Sequence, residues 1–375
     1  MPGYARKDIV DPDEVGAYHC TSRCVRQAFL CGKGKGKGKG RRKRRREINR
    51  LKWFDVRVQQ LLSVFLVDLL AYTFLDNHFH SILRIRPDLA EKLSDREVVR
   101  RSLMVSPYMM PDEIKLEEPD EAAIEEALKD PEYVLKWRKR LSSLSWFMKY
   151  WKEPIARRAN LEDEVKGAFW DPRFHSVRLL DGVALLMGSI YVDLNEVRAR
   201  KASTPETSEN STIFYRILAW QADQERRSLP SDKEARMNAE SLEREPAPPW
   251  VAPINDASDN GTVSGTMTEE QPKPNGRRPS DSGFLPMTIE QYMQLVDWAG
   301  RSIQPGKRGA IPDELAPIME RLVSNLDAFL KAAQNFGKLF KRFCGTPESM
   351  AAHKAKIEAK RLRGLPAARQ ICGSK

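Results

Sequence analysis

Asp76-Asn77-His78-Phe79-His80 lies in an apolar run, Val64–Leu83, that is rich in Val, Leu, Phe and Tyr. Such a run predicts two short strands and the turn between them. Because strand side chains alternate between faces, His78 and His80 point the same way while Phe79 points into the core. Two imidazoles about 7 Å apart along one strand are spaced to share one metal ion. The alternative is a pair of solvent-facing histidines on a half-buried strand.

The positive charge of the chain is concentrated in one tract. The 375 residues carry a formal net charge of +11, and Lys33–Arg46 holds ten basic residues and no acid. This balance favours an acidic partner, most simply nucleic acid. Glycines and like-charge repulsion predict a flexible arm that neutralises phosphates. The alternative is a solvated loop or a mimic of a nuclear-targeting signal. The candidate phosphate contacts in the arm are Arg41, Arg42, Lys43, Arg44 and Arg45.

Length and cysteine content limit the class of protein. A chain of 375 residues suggests two or three domains. Its five cysteines, an odd number in a large chain, argue against a disulfide scaffold and for a reducing compartment, and the absence of Cys-x-x-Cys pairs among Cys20, Cys24 and Cys31 argues against a structural zinc site. No stretch has the 18 or more apolar residues of a membrane span, and the N-terminus is too polar for a signal peptide. We therefore predict a cytoplasmic, nucleoid-associated protein without a membrane partner.

The N-terminal half alternates predicted strands and helices. Val15–Leu30 favours an opening strand, and Glu47–Phe65 has the 3.6-residue rhythm of an amphipathic helix. After the strand pair, Ser94–Leu103 and Tyr133–Arg158 predict helices on either side of an acidic surface insertion over 106–131. This order predicts an α+β fold with one sheet and helices on one face.

Tyr191 lies at the margin of a further apolar helix, which Asp181 is predicted to cap. Small residues in the two preceding turns, among them Gly188, are expected to leave open space over the tyrosine ring. Asn195 follows at i+4 and projects beside Tyr191. The alternative is an ordinary core tyrosine, which is the usual role of a lone tyrosine beside a helix stripe.

These residues resemble the HUH single-tyrosine transposases and, within them, the REP-associated tyrosine transposase branch. The opening Tyr18-His19-Cys20-Thr21-Ser22-Arg23 looks like the first strand of that family. Together the similar stretches span residues 15 to 200 approximately. The other stretches that carry the resemblance are Asn77-His78-Phe79-His80, Phe169-Trp170-Asp171-Pro172-Arg173-Phe174 and Tyr191-Val192-Asp193-Leu194-Asn195-Glu196-Val197-Arg198-Ala199.

The resemblance implies a ferredoxin-like βαββαβ antiparallel sheet, with the histidine pair on a central strand and the tyrosine helix packed across the metal. Carried over, His78 and His80 become metal ligands, Asn195 completes the metal site and Tyr191 becomes the nucleophile. Mg²⁺ or Mn²⁺ is favoured over zinc, because no thiolate takes part and the ion must share oxygens with the substrate. The attack of Tyr191 would leave a 5′-phosphotyrosine and a free 3′-hydroxyl.

The implied substrate is single-stranded or hairpin DNA, since a tyrosine must reach an unstacked phosphate. Trp170 and Phe174 are candidates for stacking on bases, and Arg173 and Arg198 are candidates for contacts with phosphates. For the two aromatic residues the alternative is ordinary packing of a turn against the sheet. Two other functions stay open, namely a nucleic-acid-binding protein that does not cut and a metal-dependent hydrolase that uses water.

The C-terminal part has a different composition. We predict a catalytic domain over 1–227, a flexible linker over 228–283 and a small, basic all-α module over 284–375. Thr288-x-x-Gln291 has the pattern of a capping box, and Pro312 suits the first turn of a later helix. The module is predicted to be an auxiliary DNA-binding unit, with a solvated helical tail as the alternative. A homodimer is a further open possibility.

Overall fold

The computed structural model describes residues 6–32, 50–108, 112, 114–228, 250–254, 278–302, 325–359 and 361–372. The strands are β1 (Gly16–Arg23), β2 (Val67–Leu75), β3 (His78–Ile85), β4 (His175–Leu179) and β5 (Phe343–Cys344). The helices of the first half are α1 (Leu51–Leu62), α2 (Pro87–Glu91), α3 (Asp95–Met104), α4 (Glu121–Leu128), α5 (Pro131–Leu141) and α6 (Leu144–Glu162). The later helices are α7 (Gly182–Asp193), α8 (Asn195–Arg198), α9 (Thr212–Ser228), α10 (Ile289–Ser302), α11 (Leu326–Gln334), α12 (Phe336–Leu339), α13 (Pro347–Lys356) and α14 (Leu365–Cys372).

The five strands form one mixed sheet in the order β2-β3-β1-β4-β5. β1 lies antiparallel to β3 and to β4, β2 lies antiparallel to β3, and β5 lies parallel to β4. The predicted α+β class and the strand pair around Asp76-Asn77 are confirmed. The sequence pattern does not predict β4, because its five residues are too few to show a clear alternation.

Helices cover both faces of the sheet, so the prediction of helices on one face is wrong. α1 and α6 pack on one face, and α7 packs across β2 and β3 on the other. All nine residues of β2 are buried. A strand that is buried on both faces shows a continuous apolar run and needs a helical layer on each side.

The predicted single helix over Tyr133–Arg158 is two helices, α5 and α6. The chain turns at Ser142 and Ser143, and Ser143 has the extended backbone typical of a residue before a helix. The carbonyl of Leu141 accepts a hydrogen bond of 2.7 Å from the backbone N–H of Leu66. The break therefore ties the end of α5 to the start of β2, a contact that helical periodicity does not reveal.

The C-terminal residues join the sheet, so the prediction of a separate all-α unit is wrong. β5 extends the sheet at β4, and α11 and α12 pack on α7. The backbone of Val251 bridges to Leu69 of β2. Asp68 accepts hydrogen bonds from Arg84 and from Ser280, which anchors a segment of the predicted linker against the sheet.

Further sequence predictions concern the capping box, Pro312 and the basic arm. The capping box is confirmed, since Thr288 and Gln291 exchange hydrogen bonds between side chain and backbone. Pro312 and the basic arm, Lys33–Arg46, lie outside the described residues, and the domain boundaries stay predictions. Within the described part of the chain, no helix is both long and apolar enough to cross a membrane.

Candidate functional site

His78 and His80 lie on the same face of β3, next to β1 and β2. Their ring centroids are 5.0 Å apart and their planes are nearly perpendicular, at 81°. Phe79 between them is buried on the other face with the aromatic residues of α1 and α6. The sequence prediction of the shared face is therefore confirmed. His80 is 3% exposed, so the alternative of two solvent-facing histidines does not describe the pair.

Both imidazoles of the pair are neutral near pH 7. Burial lowers the pKa of His78 to about 4. Burial also lowers the pKa of His80 well below its usual value, and the neighbouring His19 and His78 lower it further. A neutral imidazole keeps a lone pair on one nitrogen, which is the form that binds metal ions.

Each histidine of the pair uses Nδ1 for a protein contact. His78 Nδ1 lies 2.6 Å from Asn77 Oδ1. His80 Nδ1 lies 3.0 Å from His19 Nε2 and 3.0 Å from Thr21 Oγ1. No described residue forms a hydrogen bond with Nε2 of either ring. Metal-binding histidines commonly hold one ring nitrogen with a protein partner and present the other to the ion, so the pair fits a metal.

The Tyr191 ring packs directly on the histidines. Its centroid lies 5.4 Å from that of His80 and 5.6 Å from that of His19. α7, which carries the tyrosine, begins as predicted at Asp181, whose carboxylate accepts a hydrogen bond from Ala184 N–H. The sheet thus supplies the imidazoles and α7 supplies the phenol. No hydrogen bond joins the Tyr191 hydroxyl to any described residue.

The surroundings of the Tyr191 ring differ from the sequence prediction. Gly188 does not open space over the ring, because a Cβ on it would lie 3.3 Å from Ile82 and Leu179 of the sheet. Phe336 of α12 covers the ring instead, with centroids 5.6 Å apart. The small residue of α7 therefore allows close packing of the helix on the sheet, and a distant C-terminal residue closes the site.

Asn195 and Arg198, which lie on the following helix α8, both contact Tyr191. The Asn195 amide donates a hydrogen bond of 2.8 Å to the Tyr191 carbonyl, and no hydrogen bond joins it to either histidine in the described structure. The Arg198 guanidinium carbon lies 5.1 Å from the centre of the Tyr191 ring. Nε and Nη1 of Arg198 are buried without a hydrogen-bond partner among the described residues.

An unpaired buried guanidinium is costly, because its N–H groups have lost water without gaining an acceptor. Burial lowers the pKa of Arg198 to about 10, which still leaves the group charged at neutral pH. Tyr191, once ionised, raises the pKa of Arg198 and so favours its charge. An anion bound beside Tyr191 would supply the acceptor that the buried N–H groups of Arg198 lack.

Trp170 and Phe174 pack in the core and are each 8% exposed. The Trp170 indole N–H donates a hydrogen bond of 3.0 Å to the Lys152 carbonyl. Base stacking needs an exposed ring face, so the packing alternative describes these two residues better. Arg173 is exposed between them. The candidates Arg41, Arg42, Lys43, Arg44 and Arg45 lie outside the described residues.

No group of three or more His, Cys, Asp and Glu side chains in the described ranges is arranged to hold a metal ion. Among the described residues, His78 and His80 therefore have no third His, Cys, Asp or Glu side chain placed to share an ion with them. Any ion bound there needs further oxygens, which Asn195 or the oxygens of a bound substrate can supply.

His19 is a member of the site that the sequence reading missed. It is 3% exposed and its ring stacks on that of His80, with centroids 5.1 Å apart and planes 7° apart. The only sequence signal is its alternation with Tyr18 and Cys20, which places His19 on the opposite face of β1 from them. This signal indicates the site only when the pairing of β1 with β3 is known. In that pairing His19 lies opposite Ile82 and Thr21 lies opposite His80.

Comparisons with known proteins find little similarity. No protein-family model matches the chain, and no curated protein matches it. A solved structure of a REP-associated tyrosine transposase bound to a REP hairpin is similar at 12% sequence identity and a TM-score of 0.32. The match covers 58% of this chain and 86% of that one. A similarity of this size carries no conclusion about function, which rests on the residues of the site.

Proposed function

We propose that the protein cleaves and rejoins single-stranded or hairpin DNA through a 5′-phosphotyrosine at Tyr191, in a metal-dependent reaction. The observation that carries the proposal is the contact of the Tyr191 ring with His80 at 5.4 Å, beside Nε and Nη1 of Arg198, which are buried without a described hydrogen-bond partner. A nucleophile, a pair of neutral nitrogen ligands and a cation for a phosphate are thereby brought together. We also infer that β1 to β4 form a ferredoxin-like sheet, since that fold has the order β2-β3-β1-β4.

His78 and His80 would hold a Mg²⁺ or Mn²⁺ ion through Nε2, with the Asn195 amide oxygen as a further ligand. When bound, the ion would polarise the scissile phosphate and offset its negative charge. Asn77 and His19 would keep the two imidazoles in the tautomer that leaves Nε2 free. The Asn195 amide also holds the backbone of Tyr191, so one residue links the ligands to the nucleophile.

The Tyr191 hydroxyl oxygen attacks the phosphorus, and a new oxygen–phosphorus bond forms as the bond to the 3′-oxygen breaks. The phenol proton leaves to solvent or a base, and the departing 3′-oxygen takes up a proton. Burial raises the pKa of Tyr191, whereas the charges of Arg198 and Arg23 lower it. Arg198 therefore stabilises the developing phenolate and the phosphate charge in the transition state. The energy of the broken bond is kept in the phosphotyrosine, so rejoining needs no ATP.

One experiment tests this function. The full-length protein is incubated with single-stranded DNA labelled at its 3′ end and Mn²⁺, and a protein–DNA adduct is sought on a denaturing gel. We expect a labelled band that resists boiling in detergent and disappears after protease treatment. Complete absence of the adduct across hairpin and unstructured strands would favour the second candidate, a DNA- or RNA-binding protein that does not cut. The lack of a third His, Cys, Asp or Glu ligand among the described residues is what favours that candidate.

Replacing His19 is expected to weaken metal binding through His80. His19→Ala removes one of the two partners of His80 Nδ1 and leaves Thr21 Oγ1, so we expect the affinity for Mn²⁺ to fall by about 10-fold. His19→Gln keeps a hydrogen-bonding group and should retain most of the affinity. Calorimetric titration of Mn²⁺ in the absence of DNA measures the effect, with thermal melting as a check on folding. Equal Mn²⁺ affinity for wild type and a folded His19→Ala protein would exclude this role.

The basic arm is expected to add affinity without sequence preference, because lysines and arginines that contact phosphates release counterions. If about six of its charges engage a single strand, deleting Lys33–Arg46 should lower the slope of log K against log salt by about four, at roughly 0.7 per phosphate. Binding to a hairpin and to a scrambled strand is measured across a salt series. An arm of the same composition in scrambled order is the matched control and should behave as wild type. Lost discrimination at an unchanged slope would contradict the prediction.

A further inference from the structure

A basic groove lies on the face of the sheet opposite Tyr191. It has a volume of about 890 Å³ and runs between α6 and the segment Gly167–Phe174. One wall consists of a single face of α6, and the segment after α6 forms the other wall. The charged residues that line the groove are Arg6, Lys149, Lys152, Arg157, Arg173, Glu153 and Asp171. Five cations thus face two carboxylates, and Glu153 already pairs with Arg157 at 2.9 Å.

Like charges are held close together in this groove. The Arg6 guanidinium lies 3.5 Å from the centre of the Phe174 ring and donates to the Phe174 carbonyl and to Ser145 Oγ. Burial and the charge of Arg6 lower the pKa of Lys152 to about 8, although the charge of Asp171 acts in the opposite direction. The pKa of Arg6 is lowered mainly by burial and also by Arg173. The charge of Arg6 is therefore repelled by both Lys152 and Arg173.

Lys152 has no carboxylate partner within ion-pair distance in the described part of the chain. Its ammonium lies 5.5 Å from the centre of the Trp170 ring, whose face offers weaker compensation than a carboxylate. Five cations beside two carboxylates leave an excess of positive charge, and a bound anion would offset the free energy that this excess costs. The groove is thus built for an anion with several charges.

The groove is linked to the tyrosine site by the end of β1. The backbone N–H of Asp171 donates a hydrogen bond of 2.8 Å to the Arg23 carbonyl, and Trp170 bridges to Cys24. Arg23 lies opposite His78 in the sheet. These backbone contacts place the histidine pair and the segment Gly167–Phe174 at the same end of the sheet.

We propose that the groove binds the phosphodiester backbone of single-stranded DNA, as the continuation of the strand that Tyr191 cleaves. This inference rests on the proposed function for the identity of the strand. The groove volume of about 890 Å³ lies in the range of small-ligand pockets, which suits a short stretch of a single strand. Because Trp170 and Phe174 are largely buried, recognition is through phosphates and carries no base preference.

The test compares two charge-matched variants for binding of a labelled 30-nucleotide single strand across a salt series. Lys149→Gln/Lys152→Gln removes two groove cations, and Lys136→Gln/Lys139→Gln removes two exposed cations of α5 outside it. We expect the salt slope to fall by about 1.4 for the groove variant only, at roughly 0.7 per phosphate. The same loss is expected on a strand of abasic nucleotides. If Lys152→Gln prevents folding, the exposed single variant Lys149→Gln should lower the slope by about 0.7.

The outcomes separate this inference from the proposed function. Equal salt slopes for the groove and control variants would overturn the proposal that the groove binds single-stranded DNA. A fall in slope seen only with intact bases, or only with duplex DNA, would overturn it too. Calorimetric titration with inorganic phosphate tests whether the groove binds a free anion instead. Tight phosphate binding together with an unchanged salt slope for the single strand would also overturn the proposal. Adduct formation by Tyr191 is measured separately, so either claim can fail while the other stands.

Discussion

Tyr191→Phe is expected to fold normally, to bind DNA with little change and to form no covalent adduct. The substitution removes one hydroxyl group, which forms no hydrogen bond with any described residue. The ring contacts with His80, His19 and Phe336 are retained. Because the lost oxygen is the proposed nucleophile, the yield of adduct should fall below detection. Denaturing gels with DNA labelled at its 3′ end measure the adduct, and gel shifts measure binding.

Tyr215→Phe is the matched control for this experiment. Tyr215 lies on α9 and packs on Tyr72, with ring centroids 6.4 Å apart. None of its ring contacts in the described structure involves the histidine pair, and we expect wild-type amounts of adduct from this variant. Adduct formation by Tyr191→Phe would move the nucleophile elsewhere, with Tyr150 and Tyr215 as the next candidates.

His78→Ala and His80→Ala are each expected to abolish cleavage that depends on Mg²⁺ or Mn²⁺ and to leave salt-sensitive DNA binding mostly intact. Each variant removes one of the two proposed nitrogen ligands. Loss of a residue that only orients a ligand typically lowers metal affinity by about 10- to 100-fold, so loss of the ligand itself should lower it at least as much. Chelation of the metal from wild type should have the same effect, and added Mn²⁺ should reverse it. Cleavage assays with and without chelator measure both results.

His353→Ala serves as the matched control for histidine removal. His353 packs on Phe343 of β5, with centroids 4.2 Å apart, and belongs to neither the histidine pair nor the groove. We expect it to cleave as wild type does. Metal-dependent cleavage by either His78→Ala or His80→Ala at the wild-type rate would place the metal ligands elsewhere in the chain.

The sequence predicted those parts of the site that depend on local pattern. The β2–β3 hairpin follows from an apolar run with a two-residue turn, and strand alternation then places His78 and His80 together. The start of α7 follows from its aspartate cap at Asp181. Each of these signals lies within a few residues of the feature that it predicts.

The parts that the sequence did not predict depend on contacts between distant segments. His19 reaches His80 only because β1 pairs with β3, and Phe336 reaches Tyr191 only because the C-terminal helices pack on α7. The groove likewise needs Arg6 beside Lys152 of α6. No periodicity encodes such pairings, since they are decided by the burial of whole strands and helices.

The most direct measurement is mass spectrometry of the adduct after nuclease and trypsin treatment. Cleavage after Arg178 and Arg198 releases Leu179–Arg198, in which Tyr191 is the only tyrosine. After reaction with single-stranded DNA and Mn²⁺, we predict that this peptide carries a nucleotide attached through a 5′-phosphate to Tyr191. An adduct on a different residue, or an unmodified peptide in a sample that has cut its DNA, would contradict the proposed chemistry.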